Sequence, residues 1–276
     1  MTQFPGGTSV TRLQVYTDGG GTPHLHTVST EAYVVIGGKG TLQTLDMSGF
    51  RETPLEAGST VWFTPGVIHR AISDGDLQVV VVMSNAGLPE AGDAVMTFPA
   101  DVVADPVRYQ EAITLGDDPA EPVRRRRDLA VEGFLCLVDD PGALAGFYRD
   151  AAALVRPRIE KWRRIWSHTA EAQTRRTAAM LDALDRGDFQ HLHEATLQAA
   201  DPDPAPSWGM CGHLRPLHAL PAPSSSVTPR PAVTAPLSVT APSSAAPEPS
   251  VTSPLPVASP PPATAPSPVS PPNNVP

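Results

Sequence analysis

Cysteine is scarce in this chain of 276 residues, which contains only Cys136 and Cys211. Two cysteines do not provide the disulfide framework of a small secreted domain, so we expect a reducing, cytoplasmic setting. Long hydrophobic runs are also missing, since none approaches the ~20 apolar residues needed to cross a bilayer. Residues 1–7 lack the basic start and apolar core of a secretory signal, which favours the same compartment.

Basic residues are few in the first part of the chain. Residues 1–120 contain 5 Lys and Arg against 14 Asp and Glu, and the whole chain has a net charge of −9. So acidic a surface is a poor partner for nucleic acid or for an anionic membrane. The composition therefore argues against a nucleic-acid or membrane partner.

Aromatic residues are absent from the end of the chain, and charged residues nearly so. From Pro221 onward only Arg230 and Glu248 are charged, and residues 201–276 contain 22 of the 33 prolines. Such a sequence buries too little apolar area to offset the entropy cost of ordering it. We predict a disordered tail, rich in Pro, Ala and Ser, over residues 214–276. A spacer or a ligand of proline-binding modules is the functional alternative to a dispensable extension.

What the sequence does contain is a cluster of metal-ligand residue types. His24 and His26 are two positions apart, Glu31 follows five residues later, and His69 is a fourth candidate. A β-strand places residues i and i+2 on the same face, whereas a helix would separate them. The pair therefore predicts a strand whose two imidazoles point into one cavity.

The surrounding residues predict many short strands. Apolar or β-rich runs are bounded by Gly, Pro and Asp turn residues, which is typical of a β-sandwich or a small barrel. We predict strands at residues 32–36, 40–46, 59–64, 70–73 and 77–83, with a polar turn at residues 51–58.

Two motifs in this region resemble those of the cupin family. The segment GGGTPHLHTVSTEAYVVIGG has the His-x-His, Glu and Gly of the first cupin motif at His24, His26, Glu31 and Gly38. The segment GSTVWFTPGVIH resembles the second motif, with Gly58, Pro65, Gly66 and His69, although Pro65 and Gly66 are adjacent instead of one residue apart.

The resemblance implies a mainly β fold, a jelly-roll barrel over residues 8–100, with one divalent metal near its mouth. By motif position the metal ligands are His24, His26, Glu31 and His69. Imidazole and carboxylate together suit Fe, Mn, Zn, Ni or Cu, so the identity of the ion stays open. Single-barrel cupins are often dimers, which implies a homodimer.

The family hosts many reactions, and three hypotheses remain open. The first is a dioxygenase-type oxidoreductase, in which Glu31 is also a candidate proton acceptor and Tyr33, Trp62 and Phe63 are candidate substrate-binding walls. Strand alternation allows only one of Trp62 and Phe63 to face inward.

The second hypothesis is a sugar-type isomerase or epimerase, which would need a basic side chain inside the barrel. Arg12 is a weak candidate for that role, and Arg70 points outward if His69 points inward. The third is a metal-dependent binding protein without turnover.

Beyond the barrel we predict a wrapping or linker segment at residues 101–140 and a helical appendage at residues 141–200, interrupted at Pro157. The appendage is expected to cover the open end of the barrel, pack on its outer face or mediate self-association.

The run Arg124–Arg127 is interpreted as a solvated linker in preference to an oxyanion site. His191 and His193 would not share a helix face. The segment from Trp208 to His213 is expected to dock on the barrel, with Cys211 more often inert than reactive.

Overall fold

The structure is a computed structural model that describes residues 4–218. Most of the predicted tail, residues 219–276, lies outside the described residues. Among residues 4–218, no helix is long and apolar enough to cross a membrane.

Two antiparallel sheets form the barrel and enclose an apolar core. The first sheet has six strands in the order β10-β11-β1-β8-β3-β6, and the second has five in the order β5-β4-β7-β2-β9. The strands are β1 (Ser9–Val15), β2 (His24–His26), β3 (Glu31–Gly37), β4 (Lys39–Asp46), β5 (Gly49–Glu56), β6 (Thr60–Phe63), β7 (Ile68–Ser73), β8 (Gln78–Met83), β9 (Ala94–Met96), β10 (Ser207–Trp208) and β11 (Gly212–Pro216).

Alternation along the strands decides which side chains face the barrel interior. In β3, Glu31, Tyr33 and Val35 are buried, whereas Ala32 and Val34 between them are only partly buried. The inward residues pack with Leu13, Val79 and other apolar side chains from both sheets. A period of two thus directs the carboxylate of Glu31 and the ring of Tyr33 into the same interior.

Helices form a second layer on the outer face of the five-stranded sheet. Leu25, Leu45 and Ile68 point away from the barrel interior and pack against helical side chains such as Phe134 and Phe147. The helices are α1 (Ala100–Val103), α2 (Pro106–Ile113), α3 (Ala120–Asp139), α4 (Leu144–Val155), α5 (Ile159–His168), α6 (Ala170–Asp185) and α7 (Gln190–His193). Of the three expected placements of the appendage, α4 and α5 show packing on the outer face, whereas α6 and α7 bury no residue.

One turn links the helical layer to the strand that bears the paired histidines. The backbone N–H of Gly66 donates to the carbonyl of His26 at 2.9 Å. The hydroxyl of Tyr148 on α4 donates to the carbonyl of Gly66, also at 2.9 Å. Gly66 has a φ of +94°, a left-handed conformation that glycine adopts without strain.

Several elements differ from the sequence prediction. Residues 51–58 are mostly strand β5 rather than a turn, because β5 pairs with β4 along its whole length and needs few apolar residues at the sheet edge. The segment 101–140, expected to be a wrapping or linker segment, is largely helical, and its helices pack on the barrel. Regular structure continues past residue 213, because β11 pairs with β1. The break at Pro157 is present as a 3-10 turn at Arg156–Arg158.

The arginine run is not a solvated linker. It lies in helix α3, and Arg126 and Arg127 are buried there, while Arg124 and Arg125 are exposed. The helix docks on the barrel, so two of four consecutive arginines turn toward it. The interpretation as a linker is wrong. Tertiary packing decides which of the four arginines are buried, and a run of identical residues carries no sequence signal of that packing.

Candidate metal centre

Three strands bring the four sequence-predicted ligand residues together. His24 and His26 lie on β2, Glu31 begins β3, and His69 on β7 pairs directly with His24 across the sheet. All four are buried, and one ligand atom from each lies within 4.8 Å of the others. Oε2 of Glu31 is 3.2 Å from Nε2 of His26 and 3.1 Å from Nε2 of His69.

Each imidazole is held by its other ring nitrogen. Nδ1 of His24 donates to the carbonyl of Thr22 at 2.9 Å, and Nδ1 of His69 donates to the carbonyl of Val67 at 3.1 Å. Nδ1 of His26 lies 2.6 Å from Oδ1 of Asp93. Hydrogen bonds of this kind fix the ring orientation of metal-binding histidines and leave Nε2 for the ion.

The donor atoms fit a divalent cation. Oε2 of Glu31 and Nε2 of His69 are buried and make no hydrogen bond within the described residues. Orphaned buried polar atoms are costly unless an ion or a ligand satisfies them. Three imidazole nitrogens and one carboxylate oxygen are ligands that first-row transition metals accept. The four residues could therefore hold one metal ion.

Charge interactions in the cluster are strong. Burial would raise the pKa of Glu31, but the adjacent His69 and His26 hold it well below its usual range. Burial would lower the pKa of His26, but its contacts with Asp93 and Glu31 raise it to about 10. Burial and the neighbouring histidines lower the pKa of His24. A cation that binds Nε2 of His26 would displace the proton that this raised pKa retains, so metal binding should release protons.

A cavity of about 260 Å³ opens beside the cluster. His24, His26 and Glu31 form the part of its wall nearest the cluster, and Tyr33 also contributes. The other polar residues of the wall are Ser9, Thr11, Glu90 and His218. The remaining wall is largely apolar and includes Leu13, Val81, Met83, Met210, Cys211 and Leu214. Part of that wall comes from β11 and the residues before it, so the C-terminal strand completes the site.

The other candidate substrate-binding residues are placed differently. Trp62 is 71% exposed and faces away from the barrel interior, so its prediction as a cavity wall is wrong; the alternation of β6 gives the inward position to Phe63. Phe63 is buried with its ring centroid 4.1 Å from that of His69, so it packs against a candidate ligand. Tyr33 has its hydroxyl 3.8 Å from Sγ of Cys211.

The two candidate arginines do not reach the cavity. Arg12 lies between the inward-facing Thr11 and Leu13 and donates to the carbonyl of Pro202. Arg70 donates to the carbonyl of Gly19 on the outer side of its strand. The described residues therefore place neither Lys nor Arg in the cavity wall.

Sequence reasoning missed Asp93 and most of the C-terminal wall. Asp93 precedes β9 and is fully buried against His26, 67 residues away in the sequence. A single Asp in a turn carries no periodic signal that could have identified it. The segment from Trp208 to His213 does dock on the barrel, but Cys211 lies outside the four-residue ligand cluster.

Comparison with known proteins agrees with the fold. Residues 12–85 match the family model of the Cupin domain, so this part of the chain is similar to that family. No curated protein matches the chain.

Several solved structures are similar to part of the chain at low identity. An uncharacterized conserved protein with a double-stranded beta-helix domain from Klebsiella pneumoniae is 22% identical over 29% of this chain and 69% of its own, with a TM-score of 0.26. Streptomyces PAC13 with uridine is 17% identical over 34% of this chain and 69% of its own, with a TM-score of 0.28. The QdtA 3,4-ketoisomerase from Thermoanaerobacterium thermosaccharolyticum, in complex with TDP, is 16% identical over 28% and 58%, with a TM-score of 0.26. Values this low are no evidence for a shared activity.

Proposed function

We propose that this chain is a metal-dependent cupin enzyme that oxidises a small organic molecule in a dioxygenase-type reaction. The ligands are His24, His26, Glu31 and His69, and the metal is Fe, Mn, Zn, Ni or Cu. The observation that carries the proposal is the convergence of three imidazoles and one carboxylate beside a cavity, with the far side of each ring already hydrogen bonded.

The residues of the chain have separate roles in this proposal. A bound divalent metal would supply Lewis acidity and a template for the substrate. Tyr33 and the apolar wall would orient the substrate and exclude water from the cavity. Glu31, if it leaves the cation, can accept a proton from the substrate.

The cavity wall supports oxidation over sugar isomerisation. A sugar phosphate or a nucleotide sugar carries anionic groups that an isomerase binds with Arg or Lys. The cavity wall has no such side chain among the described residues, and the two candidates, Arg12 and Arg70, point elsewhere. A substrate without phosphate groups fits the wall better.

Metal analysis of anaerobically purified protein tests the proposal. Wild type should contain one transition-metal ion per chain, and His26→Ala should lose it while its circular dichroism spectrum is unchanged. His191→Ala, on the short helix α7 outside the cluster, is the matched control and should retain the metal. A wild-type protein that binds none of these metals would contradict the proposal.

Oxygen consumption then separates the reaction classes. With candidate small molecules added, an oxygen electrode should record uptake that depends on the metal and disappears in His26→Ala. Turnover of a substrate without oxygen uptake would favour isomerisation, and metal binding with no turnover of any tested compound would favour the non-catalytic binding protein.

A further inference from the structure

A second cavity, separate from the metal centre, lies between helices α2 and α3. Its volume is about 430 Å³, and its wall includes Arg108, Arg125 and Arg126 together with Glu111. Three cations and one carboxylate give the wall a positive balance in a chain that is acidic overall. None of these residues belongs to the metal cluster.

Arg126 is the unusual member of this group. It is only 7% exposed, yet no Asp or Glu oxygen lies within ion-pair distance of it among residues 4–218. One guanidinium nitrogen, Nη2, donates to the carbonyl of Gly209 at 2.7 Å, and Nε is buried without a partner. Nη1 makes no hydrogen bond within the described residues and is not fully enclosed. A buried charge without a counterion is costly, so a bound anion would stabilise the guanidinium of Arg126.

The neighbouring arginines can complete such a site. Arg125 is exposed and forms no ion pair with any described residue. Arg108 pairs with Asp101 at 2.6 Å, but that pair is at the surface, where ion pairs contribute little and exchange partners readily. Guanidinium groups match the oxygens of phosphate and carboxylate in two-point hydrogen bonds.

We propose that the cavity between α2 and α3 binds a small multivalent oxyanion, an organic phosphate or a polycarboxylate, through Arg125 and Arg126 with Arg108 at its edge. The volume exceeds that of a single phosphate group, so the anion is part of a larger molecule. Because Arg126 also holds Gly209, which precedes the Met210 and Cys211 wall of the metal-site cavity, the anion would stabilise that wall from behind.

Binding of inorganic phosphate, pyrophosphate and citrate to the full chain tests this site by calorimetry at constant ionic strength, with chloride as the reference salt. At least one of the three should bind in the millimolar range or tighter, and Arg125→Gln should weaken it by about tenfold, as expected for the loss of hydrogen bonds to a charged group. Citrate binding without phosphate binding would assign the site to carboxylates, and the reverse to phosphates.

Arg124→Gln is the matched control. Arg124 is the preceding residue on the same helix and is also exposed, but it pairs with Asp18 and lies outside this cavity. It should bind the anion as wild type does. Arg126→Lys keeps the charge but loses the planar donor group, and it should bind more weakly than wild type if its circular dichroism spectrum is unchanged.

The His26→Ala variant separates this site from the metal centre, since it should bind the anion as wild type does. Three results would each overturn the proposal: no binding of any of the three anions, equal weakening in Arg125→Gln and Arg124→Gln, or loss of binding in His26→Ala, which would place the anion on the metal. The test does not depend on the proposed enzymatic function.

Discussion

At the scale of single residues, the site depends on a side chain outside both sequence motifs. Asp93 is fully buried and contacts only one of the three histidines through its carboxylate, whereas the other two rings donate to backbone carbonyls. A carboxylate partner makes an imidazole a stronger electron donor than a carbonyl partner does. His26 is therefore expected to be the strongest of the three nitrogen ligands.

Replacement of Asp93 with Asn should weaken metal binding. The amide keeps the size of the side chain but removes the charge that orients His26, so we expect a loss of about 10- to 100-fold in affinity, measured by competition with a chelator. Asp117→Asn, at an exposed position without hydrogen bonds to described residues, is the control. Equal affinities in the two variants would show that Asp93 does not act on the metal.

The two cysteines should differ in reactivity. Cys136 is exposed, whereas Cys211 is buried, and burial together with the nearby Glu31 raises the pKa of the Cys211 thiol to about 12. Because only the thiolate reacts, one thiol per native chain should react with a chromogenic disulfide reagent at pH 8, and two should react in denaturant. Two rapid equivalents in the native protein would contradict the burial of Cys211.

The sequence predicted only those site residues that the spacing within a short motif identifies. Two short motifs identified His24, His26, Glu31 and His69 because strand alternation and motif order are local properties. Which of Trp62 and Phe63 faces the barrel interior depends on the exact register of β6, and the composition of that strand does not determine its register.

At the scale of elements, close packing of helix α3 on the barrel depends on one glycine. A Cβ atom at Gly133 would clash with the carbonyl of Thr97 and the backbone of Phe98. Gly146 in α4 also lies inside a helix, but a Cβ there would meet no atom within 4 Å. The two glycines offer a matched pair in which the helix preference is the same and the surroundings differ.

Alanine at these two positions should change stability in opposite directions. Gly133→Ala should lower the free energy of unfolding by about 1–3 kcal/mol through overpacking. Gly146→Ala should raise it by up to about 1 kcal/mol, because glycine is disfavoured in a helix. Urea denaturation measures both, and a stabilised Gly133→Ala would refute the close approach of α3 to Thr97.

The elements themselves were predictable where their apolar pattern was strong. Strand β3 follows a period of two, β8 is a continuous apolar run, and helices α4 to α6 follow a period of 3.6. β5 did not, because as an edge strand it buries little, and β11 lies in a proline-rich region where pairing with β1 outweighs composition. Pairing between distant strands is not visible in a local window.

At the scale of the whole molecule, the buried acidic groups make the fold sensitive to alkali. Burial is the largest factor that raises the pKa of Tyr16, to about 12, and that of Cys211 also rises to about 12. In the unfolded chain the thiol ionises near 9 and the phenol near 10. Between the unfolded-state pKa values and the folded-state values of about 12, the unfolded chain has lost protons that the folded chain retains. The free energy of unfolding therefore falls as pH rises through this range.

Denaturation at increasing pH measures this effect. The free energy of unfolding should decrease from about pH 9 upward, and Cys211→Ser should reduce the slope because a serine hydroxyl does not ionise in this range. Cys136→Ser, which removes an exposed thiol, should leave the slope unchanged. A slope unaffected by Cys211→Ser would exclude the buried thiol as its source.

The turn at Gly66 has a thermodynamic consequence for both layers. Its amide donates to the backbone carbonyl of His26, and its carbonyl accepts from the hydroxyl of Tyr148, although neither hydrogen bond involves a candidate ligand atom. If a cation binds better when this peptide is immobilised, reciprocity requires that the cation also resists detachment of α4, and by the same free energy. Proteolytic cleavage within α4 would then be slower in the metal-bound protein than in the metal-free protein. The cleavage rate of a helix that contains no candidate ligand would thus measure metal binding.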